Sequence, residues 1–207
     1  MGILTTIWSF CRSWRVPSVI SLSNVVIGAS SAPIGPISLD LDPGDRFILM
    51  SPNGAGKSML LRTLAGQQPA LSGVMRKADE VRVGMLAQAH PRARYWPLSG
   101  RDWLNLMGSQ CLIDPLLADL IHRRVDTLSG GEWQYLRLAA VVGLPVDVIL
   151  LDEPANHLDA AVWAQSVRLI RECASEKAML LATHDRQFAI ELGFEIRSMQ
   201  ALMGSSS

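Results

Sequence analysis

The sequence has few cysteines, few aromatic residues and no excess of charge of either sign. Its 207 residues include three widely separated cysteines, Cys11, Cys111 and Cys173, which offer neither a disulfide framework nor a metal-ligand spacing. We interpret them as reduced thiols of a cytosolic protein. Its 19 basic and 19 acidic side chains cancel to a formal net charge of zero, so charge gives no reason to expect a nucleic-acid partner.

A long apolar run is also missing. No stretch is long enough to cross a bilayer. Near the N-terminus the apolar residues precede Arg12 and Arg15, the wrong order for a signal peptide. A chain of this length, 49% apolar, can bury one sizeable core. We expect an N-terminal extension at residues 1–19, a single domain at 20–203 and a flexible tail at 204–207.

A glycine-rich loop is the first feature that is present. An apolar run at 46–50 leads into it and a helical run beginning at Met59 follows. The loop consists of Ser51, Pro52, Asn53, Gly54, Ala55, Gly56, Lys57 and Ser58. Strand, loop and helix in this order predict a phosphate cradle, with Lys57 reaching the β- and γ-phosphates and the Ser58 hydroxyl completing a Mg²⁺ shell. Ser51 replaces the first glycine of the strict motif, so a plain turn before a helix is the alternative.

A second glycine turn follows later in the chain. Leu128 precedes Ser129, Gly130, Gly131 and Glu132, at the start of a helical pattern. Backbone N–H groups exposed by the glycines, together with the Ser129 hydroxyl, predict a second anion site separate from the first. A flexible surface turn is the alternative.

Acidic, histidine and amide side chains are expected together at one edge of a sheet. Asp152 and Glu153 end an apolar strand, where Asp152 would hold Mg²⁺ and Glu153 would polarise the attacking water. His184 follows the next strand and would sense the γ-phosphate. Gln88 ends an earlier strand, and its amide would join the Mg²⁺ and water shell. Turn capping by the acids and a structural histidine are the alternatives.

The periodicity of the remaining chain predicts an α/β fold. Strands are expected at 20–27, 37–42, 81–85, 146–151 and 178–182, and a turn region at 29–36. Ser99 and Asp102 predict a helix start, and two short helices would form a helical insert at about 95–127. Helices are also expected at 132–142, after Asp159 and after Asp185. The expected fold class is therefore α/β, with an antiparallel β patch in front and an inserted helical subdomain in the middle.

These motifs together resemble those of the ATP-binding cassette family, the nucleotide-binding domain of ABC transporters. The resemblance covers residues 20–203 and follows the family order. It comprises Walker A (51–58), the Gln loop (Gln88), the LSGGE signature (128–132), Walker B (148–152, then Glu153), the D-loop (155–159) and the switch histidine (His184). It implies a P-loop NTPase (RecA-like) core with the antiparallel β patch and the inserted helical subdomain. It also implies a nucleotide site that includes Met59, where Thr is common, with ATP and Mg²⁺ as cofactors.

The resemblance also implies partners and a cellular location. In the family, two cassettes form a head-to-tail dimer with ATP between the Walker A loop of one and the signature of the other, and Asp159 would communicate across that interface. The chain would be a homodimer or heterodimer partner, bound to transmembrane permease subunits at the inner face of the cell membrane. Tyr95, Trp96 and Trp103 would contact those subunits or lie in the core. Trp133 would face a partner or pack internally.

Two readings of function remain. The first is an ATPase that powers transport of an unidentified substrate, with resemblance to metal-ion importers around residues 82–88 and with haem export also open. The second is an ATP-gated clamp on a ribosome or nucleic acid, to which the D-loop sequence is similar. The family's adenine-stacking aromatic is absent late in the first strand, where Ala29 stands.

Overall fold

The computed structural model describes residues 18–88, 95–111, 114–156, 158–173 and 177–204, excluding the Cys173 side chain. The strands are β1 (Ile20–Ala29), β2 (Ala32–Leu41), β3 (Arg46–Met50), β4 (Ser72–Lys77), β5 (Val83–Leu86), β6 (Val148–Asp152), β7 (Ala178–Thr183) and β8 (Glu195–Arg197). The helices are α1 (Lys57–Leu64), α2 (Gly100–Met107), α3 (Pro115–Leu120), α4 (Gly130–Val142), α5 (Ala160–Cys173), α6 (Arg186–Leu192) and α7 (Met199–Gly204). No helix in these described ranges is long and apolar enough to cross a membrane.

A five-stranded parallel sheet forms the centre, in the order β5-β6-β7-β3-β8. All residues of β6 and β7 are buried, as the continuous apolar runs predict for strands covered on both faces. Successive side chains point to opposite faces, so Ile149 and Leu151 join one core cluster while Val148 and Leu150 join the other. The predicted α/β fold is confirmed.

A three-stranded antiparallel sheet, in the order β2-β1-β4, is the predicted β patch. β1 and β2 form a hairpin in which Ala29 pairs with Ala32. The predicted turn region at 29–36 is therefore wrong, because most of it belongs to β2. Proline at position 36 is compatible with a strand there since β2 lies at the edge of its sheet, where one side of the backbone needs no ladder partner.

The helical insert packs on the other face of the central sheet. The capping box predicted at Ser99 is present, since the Ser99 hydroxyl accepts from the Asp102 N–H and Asp102 accepts from the Ser99 N–H. Asp114 caps α3 and also accepts a hydrogen bond from the Tyr135 hydroxyl on α4. Helices α2, α3 and α4 thereby share one apolar cluster with the sheet.

The aromatic side chains of the insert divide into buried and exposed ones. Trp103 and Trp133 are buried, with ring centroids 4.9 Å apart, and Trp96 stacks on Trp103 at 5.4 Å. For Trp133, internal packing is therefore the correct alternative, and Trp103 also belongs to the core. Tyr95 is 79% exposed, so it alone of the three proposed contact aromatics presents most of its surface to solvent.

The parallel order brings the carboxyl ends of β3, β6 and β7 to the same sheet edge. The glycine loop leaves β3, Asp152 and Glu153 end β6, and His184 follows β7. Gln88 lies two residues beyond the end of β5, the neighbour of β6. The topology thus places four separate motifs side by side.

Candidate functional site

The glycine loop has two glycines in a backbone conformation that favours glycine, and one of them is also crowded by a neighbouring side chain. Gly54 and Gly56 have φ of 81° and 93°, in the left-handed region where other residues are strained. A Cβ on Gly56 would also lie 2.7 Å from Ile34 Cδ1, whereas nothing would lie within 4 Å of one on Gly54. Gly56 immediately precedes α1, so the loop turns sharply into the helix N-terminus, where backbone N–H groups favour an anion.

The Lys57 ammonium is held inside the loop by two backbone carbonyls. Its Nζ donates to the Ser51 oxygen at 2.6 Å and to the Pro52 oxygen at 3.2 Å. Lys57 is 6% exposed. Both acceptors are neutral and so do not cancel the positive charge, which is available to a phosphate that enters the loop.

Ser51, which replaces the motif glycine, makes a contact that glycine lacks. Its hydroxyl accepts a hydrogen bond of 2.9 Å from the backbone N–H of Met199, the first residue of α7. This N–H belongs to a helix end and has no acceptor within its own helix. The glycine loop is thereby tied to a segment 148 residues away in sequence.

Ser58 and Asp152 form the predicted metal-binding pair. The Ser58 hydroxyl donates to Asp152 Oδ1 at 3.0 Å, while Asp152 Oδ2 is buried and has no hydrogen-bond partner among the described residues. Burial raises the pKa of Asp152 above its ordinary value, and the Ser58 hydrogen bond opposes that rise. A buried carboxylate oxygen without a partner beside a hydroxyl fits a hard cation such as Mg²⁺.

Glu153 and His184 form a second pair. His184 Nδ1 lies 3.0 Å from Glu153 Oε1, and the Thr183 hydroxyl donates to Glu153 Oε2 at 3.2 Å. Glu153 adopts a φ of 49°, a left-handed conformation uncommon for this residue type. It is 6% exposed, whereas the His184 side chain is 52% exposed. Glu153 is thus fixed from two sides in a strained position, as functional groups often are.

A cavity of about 460 Å³ brings many of the predicted residues together, although Ser51, Pro52, Ala55 and Asp152 are not in its lining. Its lining consists of Asn53, Gly54, Gly56, Lys57, Ser58, Met59, Gln88, Glu153, Asn156 and His184. Asn156 was missed as a site residue by sequence reasoning, although it belongs to the D-loop pattern. Two larger grooves, of about 820 and 770 Å³, contain none of the motif residues, so chemistry rather than size identifies the site.

The signature residues, all of them described, do not line this cavity. The Ser129 hydroxyl caps α4 by accepting a hydrogen bond from the Glu132 N–H, and the Glu132 carboxylate accepts one of 2.7 Å from the Ser129 N–H. Arg123 donates to both carboxylate oxygens of Glu132 at 2.5 and 3.2 Å, and this pair lowers the pKa of Glu132. Asp159 also lies outside the cavity lining and caps α5 through the Ala161 and Val162 N–H groups. One chain therefore places two glycine turns at different locations.

Comparison with known proteins identifies relatives over most of the chain. The family model described as ABC transporter matches residues 34–156. The zinc import ATP-binding protein ZnuC 1 of Hahella chejuensis is 30% identical over 177 residues, which cover 82% of this chain and 69% of that protein. The ABC transporter ATP-binding protein YfmM of Bacillus subtilis, described as uncharacterized, is 28% identical over 184 residues, covering 86% of this chain. That match spans only 35% of YfmM, so the chain corresponds to about a third of this longer relative.

A solved structure supports the same fold. A complex of the archaeal ribosome recycling factor aABCE1 with the stalk protein aP1 matches with a TM-score of 0.74 at 23% identity, covering 90% of this chain and 38% of that one. At this identity the similarity shows the fold alone. Because the family model matches more than half of the chain, from residue 34 to residue 156, and the zinc import relative is 30% identical with 69% of its length covered, the chain belongs to the ABC transporter family and carries its ATP-binding domain.

Proposed function

We propose that the chain binds and hydrolyses ATP as a subunit of an ABC transporter and powers transport through separate transmembrane permease subunits. One observation carries this proposal: Lys57, Ser58, Gln88, Glu153 and His184 line a single cavity although they come from four places in the sequence. A protein that only binds nucleotide needs the cationic loop, whereas hydrolysis also needs a base beside it.

The side chains divide the chemistry among them. The Lys57 ammonium would exchange its two carbonyl acceptors for β- and γ-phosphate oxygens. Ser58, Asp152 and Gln88 would hold Mg²⁺, which neutralises negative charge on the phosphates when bound. Glu153 would orient the attacking water and accept its proton. His184, hydrogen bonded to Glu153, would contact the γ-phosphate and stabilise the charge that develops there.

The second glycine turn supports a dimer. Residues 128–132 lie outside the cavity of their own chain, yet they begin a 13-residue helix, whose N-terminus favours an anion. We infer that a second cassette, in a homodimer or heterodimer, supplies this turn to the nucleotide, with Asp159 near the shared interface. Association with permease subunits would hold the dimer at the inner face of the cell membrane.

The residues of this site do not indicate which substrate is transported. The name of the Hahella relative specifies zinc import, and we infer for this chain a metal ion or haem as the first candidates to test. The permease subunits would select the substrate, since the cavity is built for phosphate and cation rather than for a transported molecule.

A clamp that acts on a ribosome or nucleic acid is the second candidate. The D-loop sequence at 155–159, which is similar to that of translation-factor cassettes, favours testing it, although the formal net charge of zero does not favour binding to nucleic acid.

The test combines turnover with identification of partners. The purified chain should release phosphate from ATP only with Mg²⁺ present, and affinity purification from detergent-solubilised membranes should recover a polytopic membrane protein. Absence of Mg²⁺-dependent turnover in both the free chain and the recovered complex would refute the enzymatic proposal. Recovery with ribosomes in an ATP-dependent manner, without a membrane protein, would favour the clamp.

A further inference from the structure

A buried arginine on α4 has no role in the chemistry described above. Arg137 is 5% exposed and donates from Nη1 to Gln134 Oε1 at 2.8 Å and from Nη2 to the Ala87 carbonyl at 2.6 Å. Both acceptors are uncharged. In the described ranges Arg137 forms no ion pair, and burial alone lowers its pKa.

Packing does not explain this residue. Moving a charge out of water without an opposite charge is costly, and an apolar side chain at a buried helix position would cost less. The neighbours of Arg137 along α4, such as Leu136 and Leu138, are fully buried and apolar. A charged group at such a position is consistent with a need for its two directed hydrogen bonds.

The hydrogen bonds continue beyond Arg137 to a second backbone segment. Gln134, 8% exposed, donates from Nε2 to the Pro154 carbonyl at 3.3 Å. Pro154 directly follows Glu153, and Ala87 directly precedes Gln88. Two side chains of α4 thus connect Pro154, next to the proposed base, with Ala87, next to Gln88. Helix α4 begins at the signature.

We propose that Arg137 and Gln134 are positioning residues that couple the Gln88 loop, the signature helix and the Glu153 turn. The inference rests on the proposed ATPase function. Neither side chain lines the cavity, so they act through the backbone that carries Gln88 and Glu153. A displacement of the Gln88 loop would then move α4 and the Glu153 turn with it, because carbonyls of both segments are hydrogen bonded to the same helix.

The hydrogen bonds from Arg137 to Ala87 and from Gln134 to Pro154 form a relay, and two substitutions test these two connections separately. Arg137→Met removes both bonds of the guanidinium and keeps an unbranched side chain suited to a buried helix. Gln134→Glu still offers an acceptor to Arg137 but removes the N–H donor to Pro154. Arg168→Met on α5 is the matched control, since Arg168 is exposed and pairs with Glu172 on its own helix.

Hydrogen exchange measures the relay without requiring turnover. Arg137→Met should speed exchange at least fivefold at residues 86–88 and 153–156, and Gln134→Glu should do so at 153–156 only. Residues 57–64 and the Arg168→Met control should keep the wild-type exchange rates. Unchanged exchange at both ends in Arg137→Met overturns the inference even if the wild-type chain has no ATPase activity. Equal acceleration throughout the chain also overturns it, because it indicates general destabilisation.

Steady-state kinetics and nucleotide binding provide the second readout. Arg137→Met should lower kcat about tenfold and leave KM and the ATP dissociation constant within about twofold. Combined with Gln88→Ala, it should lower kcat by less than the product of the two single effects, since the part of its effect that acts through Gln88 is already lost. Multiplication of the two effects would contradict coupling through the Gln88 loop. A wild-type protein without turnover, both as the free chain and in the recovered complex, would refute the proposed function and leave the exchange result to decide the relay.

Discussion

The Ser58 hydroxyl and Asp152 Oδ1 are 3.0 Å apart, although 94 residues separate them in sequence. Ser58 lies in the first turn of the helix that follows β3, and Asp152 ends β6. These strands are not neighbours, because β7 lies between them. The hydrogen bond therefore spans the site from the phosphate loop to the acidic edge and closes one side of the place where Mg²⁺ would bind.

Asp152→Asn should stabilise the free protein and weaken its binding of Mg²⁺-ATP. Asparagine keeps the acceptor for Ser58 but removes a charge that burial disfavours. We expect a gain of about 1 kcal/mol, equivalent to about 2–4 °C in the unfolding midpoint, and an affinity loss of tenfold or more. Calorimetry and thermal unfolding measure these effects, and a lower midpoint for Asn would contradict the explanation.

The same substitution predicts a pH dependence. Since the pKa of Asp152 is raised in the folded chain, the folded state binds this proton more tightly than the unfolded state. Stability of the wild type should fall as pH rises from about 3.8, the ordinary value, through the raised pKa. The difference from Asp152→Asn should be absent below that window and complete above it. Asp147→Asn, on an exposed carboxylate, is the control.

Glu153→Gln should separate ATP binding from hydrolysis. Glutamine can still accept from Thr183, but it cannot take a proton from water. We expect kcat to fall by about 10²–10⁴-fold while ATP binding and ATP-dependent dimerisation persist. Phosphate release measures turnover and light scattering measures dimerisation. Glu172→Gln, at an exposed side chain on α5, is the control. Turnover at the parent's rate would show that another group is the base.

Ser51→Ala and Ser51→Gly test the tie between the glycine loop and α7. Either change leaves the Met199 N–H without its acceptor, which should cost about 1–3 kcal/mol. Glycine should cost more than alanine, because it also increases the freedom of the unfolded chain. Hydrogen exchange at Met199 should accelerate in both variants. Equal stability of wild type and Ser51→Ala would show that the hydroxyl contributes nothing.

The ion pair between Arg123 and Glu132, the last residue of the signature, should contribute to stability by an amount that depends on pH. Because the pair lowers the pKa of Glu132, its contribution is complete above the ordinary value of 4.5 and is lost as pH falls through the lowered pKa. Both side chains are partly exposed, so we expect at most about 1 kcal/mol, reduced further by salt. A double-mutant cycle of Arg123→Ala and Glu132→Gln at pH 7 and at acid pH measures it; an interaction that does not change with pH would contradict the assignment.

Sequence reasoning succeeded where local chemistry decides structure. The capping box predicted at Ser99 uses residues three positions apart and is present. The apolar run at 146–151 predicts a buried parallel strand, and the structure has one that ends at Asp152 at the edge of the sheet. It failed at 29–36, where pairing with β1 outweighed turn-forming residues, and it missed β4, whose mostly exposed residues show no periodicity.

The sequence by itself determined the motifs, their order and the kind of chemistry each can perform, because these depend on residue types at short spacing. The tertiary structure alone decided which groups meet: Ser51 with Met199, Ser58 with Asp152, and Arg137 with Ala87. It also left Asp152 Oδ2 buried without a hydrogen-bond partner among the described residues and enclosed Trp133 in the core. Contacts between residues far apart in sequence depend on how sheets and helices pack, and no local pattern records that packing.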